Sequence, residues 1–391
     1  MKKLTQKHKT YLTRRSAAME KRRRLSNMRR RVRAVFVSSG LDPYDERRQV
    51  TVYKDGEYQK AAVMGEAIPA PHTLSFSDNY EETATFIENV RNALISAWRP
   101  PSRGRRRAMR NVPLVYRKYF DFTTIKSISA PVALIIAAEY DRLRKCGGWR
   151  PSAIEFHKWD PSVRAKLSQI GFLSLSGVTG DEEPIVEGEG WRLLRFQSGF
   201  DTTGERANDL IAKLGIDIFS ESPILYDAMV EALANTKHHA YPKDHYFPMP
   251  HVPGWWMTGL ADAVGKLTIM VCDQGVTIPG SLSNPHSDWQ LYSNWQKLCL
   301  RATGRTPSTD DTSIDGAAIA AAVKVGRTST NLSYRGRGLK TFETVLDVCR
   351  QGTLTIRSRC GEYKKAKGRS ATFLSRSTPL HGTLITWQLQ A

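Results

Sequence analysis

Apolar spacing divides the chain into helices and strands, and the clearest segment is Ser222–Ala240. Leu225, Ala228, Met229, Ala232 and Leu233 fall at i, i+3, i+4, i+7 and i+8, which predicts a helix with one buried face. Ser222 suits the N-cap, and Pro223 suits the first turn, where its missing N–H does no harm. Asp227, Glu231, Asn235 and His239 stand four apart, so they line up on a second, polar face. On the helix alone such a face reads first as solvated surface. It also holds a carboxylate able to deprotonate water and an amide able to ligate Mg²⁺.

Upstream, Val50–Tyr53 before Asp55-Gly56 predicts a strand entering a turn, Ala67–His72 with two prolines a linker, and Thr73–Phe76 a strand. Glu81–Trp98 predicts a helix with Ala84, Phe86, Ile87, Val90, Ala93 and Leu94 inward. From Val112 the pattern alternates: strand Leu114–Phe122, helix Pro131–Arg144, strand Ala153–Phe156, and helix Ser162–Ile170 closed by Gly171. Such alternation predicts a small α/β module. The acidic, Gly-rich stretch Gly177–Gly190 marks a boundary, and Trp191–Phe196 opens the next domain as a strand. This gives an arm (1–50), a connecting segment (51–111), an α/β module (112–180) and a C-terminal domain (190–391).

With 391 residues, 40% of them hydrophobic, the chain has material for two or three domains and needs no disulfides. Five cysteines without CxxC spacing argue against a disulfide framework or a structural zinc site, and His238, His239, His245 and His251 match no zinc spacing. No apolar run approaches a membrane span and none follows the basic N-terminus, so the expectation is a cytoplasmic protein without a membrane partner. The net charge of +20 is concentrated: Met1–Ala34 holds fourteen Lys and Arg against Glu20 alone, and a second cluster surrounds Arg105. Such tracts favour polyanions, because neutralised phosphates release counterions. Arg22, Arg23, Arg24, Arg29, Arg30 and Arg31, with Arg105, Arg106 and Arg107, are the candidate backbone contacts to DNA or RNA. The other reading of the arm is a solubilising or docking tail.

Beyond the striped helix, Leu267–Cys272 predicts a strand delivering Asp273-Gln274-Gly275, with Gly280 five residues after Gly275. A long Gly/Ser/Thr-rich span ends in Gly336-Arg337-Gly338-Leu339 ahead of a helix at Thr341–Cys349, an arrangement suited to cradling phosphate. Gly382–Leu389 is a closing strand with Thr383 at its start. This order of pieces resembles the GHKL (Bergerat-fold) ATP-binding superfamily over about Trp191–Ala391. The resemblance implies an α/β fold (an α+β two-layer sandwich) with helices on one face of a mixed sheet, and ATP and Mg²⁺ as ligands. It makes Glu231 the residue that activates the nucleophile and Asn235 the Mg²⁺ ligand. Asp273, beside Gly275 and Gly280, becomes the adenine reader, with Thr383 nearby. Gly336, Arg337, Gly338 and Leu339 become the phosphate turn. His239 matches a common variant that contacts phosphate, with a structural histidine as the equal alternative. The sequence departs from the family at Thr277, where the first glycine box has its second glycine.

Residues 112–180 look similar to a STAS-like module of the kind found beside anti-sigma-type ATP-binding domains. The expected function is a Mg·ATP-binding ATPase whose nucleotide state is coupled to nucleic acid or a protein partner, with a homodimer as a further expectation. The alternatives are an anti-sigma-type serine/threonine kinase, or a nucleic-acid-binding scaffold with a degenerate pocket.

Overall fold

The computed structural model describes residues 6–38, 49–54, 57–63, 65–97, 115–116, 119–147, 152–176, 178, 190–215, 222–247, 249–282, 296–297, 300, 304, 310–325 and 338–390. In chain order, α1 (Gln6–Ser38) is followed by β1 (Gln49–Lys54), β2 (Glu57–Val63), β3 (Ala67–Pro69), β4 (Thr73–Leu74) and α2 (Tyr80–Ala97). Next come β5 (Val115–Tyr116), β6 (Tyr119–Asp121), β7 (Ser127–Ile128), α3 (Ala130–Gly147), β8 (Ala153–Ile154), α4 (Pro161–Gln169) and α5 (Phe172–Leu175). The C-terminal half contains β9 (Trp191–Leu193), β10 (Gln197–Gly199), α6 (Glu205–Leu214), α7 (Pro223–Asn235), β11 (Trp255–Asp262) and β12 (Lys266–Asp273). It ends with α8 (Ile278–Leu282), α9 (Asp315–Val325), α10 (Thr341–Thr344), β13 (Gln351–Ala366) and β14 (Thr372–Gln390). The protein therefore combines helices with sheets, as an α/β class requires.

The main sheet runs β10-β11-β12-β14-β13, with β9 beside β11. Every pairing in it is antiparallel, which corrects the expected mixed sheet. β13 doubles back on itself. A straight strand of its length would hold its ends about 50 Å apart, yet the Lys367 N–H donates to Gly352 O at 2.9 Å and Arg357 pairs with Glu362 at 2.7 Å. The reversal falls at Arg359, which takes a left-handed φ of 53° and is held by Asp315.

The sheet is covered on both faces, so the expected two layers become three. On one face Trp255, Ile269, Val271, Ile356 and Trp387 form a core with α6, α7, α9 and α10. On the other, Trp256, Met270, Cys272 and Leu384 join a second core supplied by α2, α3, α4 and α5. Alternate residues of a strand point to opposite faces, so both Trp255 and Trp256 are fully buried. The strands of residues 112–180 pair with strands ahead of residue 75: β5 with β2, β6 with β3 and β7 with β4 in parallel, and β8 with β1 antiparallel. The α/β region thus draws half its strands from the segment expected to be a connector, and its core continues into the back of the main sheet.

Charged groups stitch the second helical layer to the sheet. Glu139 of α3 lies buried between Arg91 of α2, at 2.9 Å, and Arg142, which also donates to Pro250 O. Burial pushes the Glu139 carboxyl up, but the two guanidinium groups outweigh it and hold it low. Trp256 Nε1 donates to Asp141 at 2.9 Å. Along α2, Glu81 accepts from Ser377 Oγ at 2.6 Å, Tyr80 donates to Thr378 O at 3.1 Å, and Glu88 meets His381, two residues before Thr383.

Candidate functional site

The striped helix forms as its sequence requires. Ser222 Oγ accepts from the Leu225 N–H at 3.3 Å, Pro223 occupies the first turn, and the five apolar positions are buried. The α-helix ends at Asn235, and Thr236–Ala240 continues as a π-turn. A π-turn spends about one extra residue per turn, so His239 leaves the line of Asn235 and is exposed. Asp227 is exposed too. The four-residue stripe therefore splits: only Glu231 and Asn235 are half-buried. Burial alone raises the Glu231 carboxyl above its ordinary range. The buried Asn235 Nδ2 has no hydrogen-bond partner among the described residues.

The end of this helix docks on the turn that follows β12. Val276 N donates to Ala240 O at 2.7 Å. Gly275 permits the approach, because a Cβ there would sit 2.0 Å from Ala240 O. The Tyr241 hydroxyl donates to Gly254 O at 2.8 Å and accepts from the Gln274 N–H at 3.1 Å, fixing the turn from the other side. Asp273 is buried at the strand end, where burial pushes its carboxyl up to about 7 and the Gly275 N–H, at 3.0 Å, and the Thr383 N–H pull it down. Thr383 pairs with Asp273 across β12 and β14. Gly382, at φ 84°, lets the two strands meet: a Cβ there would lie 2.0 Å from Asp273 O.

Ser358, fully buried on β13, ties this edge together. Its Oγ is 2.9 Å from Thr383 Oγ1, donates to Gly382 O at 3.1 Å and accepts from the Ile278 N–H at 2.8 Å. Thr277 has a use of its own: its Oγ1 accepts from the Gly280 N–H at 3.1 Å and caps α8. The turn Gly338–Lys340 packs against α7 and α9, with Leu339 against the core. Gly336, Arg337, Arg105, Arg106 and Arg107 lie outside the described residues, as do the side chains of Arg24, Arg29 and Arg31. Arg22, Arg23 and Arg30 are exposed on α1.

Comparison with family models, curated proteins and solved structures finds no match for the chain.

The fold thus gathers Glu231, Asn235, Asp273, Gly275, Thr383 and the Gly338–Leu339 turn around one end of α7 and the β12–β14 edge. Asp227 and His239 face solvent. The arrangement places a buried carboxylate at the strand end, a second, half-buried carboxylate raised by burial on α7, and between them in sequence an amide whose Nδ2 has no partner among the described residues. Sequence reasoning missed Tyr241 and Ser358. Tyr241 follows the helix directly and was open to notice; nothing local marks Ser358, whose partners come from elements 24 and 80 residues away.

Proposed function

We propose that the protein is a Mg·ATP-binding ATPase of the GHKL (Bergerat) type, with the nucleotide held between α7 and the β12–β14 edge. The observation that carries this reading is the buried Asp273 beside Gly275 and Thr383, docked on the helix that bears Glu231 and the unpaired amide of Asn235. A buried carboxylate with no cation beside it among the described residues suits an amino N–H of a purine. The Asn235 Nδ2 donor, without a partner among the described residues, supports a polar ligand at that helix end, and the amide oxygen is of the type Mg²⁺ takes. Mg²⁺, when bound, neutralises charge on the phosphates. Glu231, raised by burial, is suited to orient water and take its proton. Gly338 and Leu339, with Gly336 and Arg337, serve the phosphates. Thr277, which stands where the family has its second glycine, has its hydroxyl engaged in capping α8.

The partner side of the proposal rests on charge. The helix α1, about 50 Å long by its residue count, presents Arg22, Arg23 and Arg30 to solvent and suits a nucleic-acid backbone. The joints Glu88–His381 and Asp141–Trp256 tie α2 to β14, at the edge proposed to hold the nucleotide, and α3 to β11, the neighbour of β12.

Labelled ATP incubated with the protein, with and without DNA or RNA, tests the reading. Released phosphate that rises with polyanion supports it, label on protein turns the reading to a kinase, and the absence of both turns it to a scaffold. Glu231→Ala is expected to lose turnover while retaining ATP binding; surviving turnover refutes the role given to Glu231.

A further inference from the structure

We infer that the segment Lys237–Val252, the end of the π-turn and the loop after it, is a stacking platform for single-stranded nucleic acid, beside the nucleotide edge; this rests on the polyanion partner proposed above.

Three observations carry it. The first is a run of packed rings. Phe247 stacks on His251 with centroids 4.1 Å apart, His251 lies parallel to Tyr241 within 8° at 6.1 Å, and Phe200 extends the run at 6.1 Å from Tyr241. Two members of this cluster are open: His251, within the run, is exposed, and Phe200, at one end of it, is 40% exposed. Tyr246, between His245 and Phe247 in sequence, is 82% exposed, more than any other large hydrophobic residue among the described residues.

The second observation is that the loop is pinned beneath its rings. Tyr241 bonds Gly254 O and the Gln274 N–H at one end. At the other, Arg142 donates to Pro250 O and Arg91 Nε approaches Met249 Sδ at 3.2 Å. Pro242 and Pro250 restrict the backbone further. An exposed ring on a held loop loses little freedom on binding.

The third is charge. Lys237 and Lys243 are exposed at the start of the segment, and Asp244 is the only acid between residues 237 and 252. Rings interleaved with cations are what an unpaired strand requires, because each base offers a π-face and each linkage a phosphate. A duplex keeps its bases stacked on each other and gains nothing from the rings. Tyr241 also supports the Asp273–Gly275 turn, so a strand lying on the platform bears on the element proposed to hold the nucleotide.

The test uses the full chain and fluorescence anisotropy with labelled oligo(dT), labelled oligo(U) and a duplex of equal length. Pyrimidine homopolymers carry no adenine for the proposed nucleotide pocket. Tyr246→Ala is expected to weaken both single strands about tenfold, leave the duplex unchanged and keep the salt slope. The double variant Lys237→Gln/Lys243→Gln is expected to flatten the salt slope for single strands. Equal weakening of single strand and duplex by Tyr246→Ala, or no weakening, overturns the platform. If the wild-type chain binds none of the three probes, the polyanion partner itself is refuted.

Discussion

Replacing Asp273 by Asn is expected to make the protein more stable and a poorer binder of ATP. The folded carboxyl titrates at about 7 against an ordinary 3.8, because burial penalises its charge more than the N–H groups of Gly275 and Thr383 repay. Holding it ionised at pH 8 therefore costs the fold about 4 kcal/mol. The amide removes that cost and forfeits one good acceptor, worth about 1 kcal/mol. The net gain is about 3 kcal/mol at pH 8. At pH 5 the folded carboxyl is protonated already, and the gain shrinks below about 1 kcal/mol. The sign follows from a raised carboxyl: its contribution to stability is complete below the unfolded value and is lost as pH rises through 7. Urea unfolding of both proteins at pH 5 and pH 8 measures the gap. ATP binding should weaken by about ten- to a hundredfold, the worth of a hydrogen bond to a charged acceptor. A stability gap that does not widen between the two pH values refutes the account of Asp273 as a buried, destabilised carboxylate.

Three further outcomes follow from particular contacts. Gly275→Ala drives a methyl group to 2.0 Å from Ala240 O and should cost about 3 kcal/mol in chemical denaturation. Glu139→Ala leaves the buried Arg91 and Arg142 uncompensated and should cost about 3–5 kcal/mol, a gap that closes in acid as the depressed carboxyl of the wild type protonates. Deleting residues 1–34 should weaken nucleic-acid binding and flatten the plot of log affinity against log salt, read by anisotropy.

Local signals carried the elements whose apolar face is one-sided. Ser222, Pro223 and the i, i+3, i+4 spacing fix the start and the buried face of α7, though not its end, and the same pattern finds α2 and α3. β11 escaped, because Trp255-Trp256-Met257 is buried on both sides and shows no alternation. The helix α9 escaped because it sits within a Gly/Ser/Thr-rich span and packs through alanines. The fold-back of β13 depends on Asp315, 44 residues from Arg359, so no window of sequence shows it. At the candidate site, the residue types were legible and their partners were not. The stripe looked continuous because α-helical spacing was assumed through His239, whereas the π-turn ends it at Asn235. The second helical layer was invisible for a related reason: the apolar surface of α3 does not say which sheet it covers.

Equilibrium dialysis of labelled ATP with Mg²⁺ against the wild-type chain and Asp273→Asn tests the central claim most directly. The account predicts saturable one-to-one binding to the wild-type protein and a loss of about ten- to a hundredfold in the variant. Binding that is absent from the wild type, or equal in both, contradicts it.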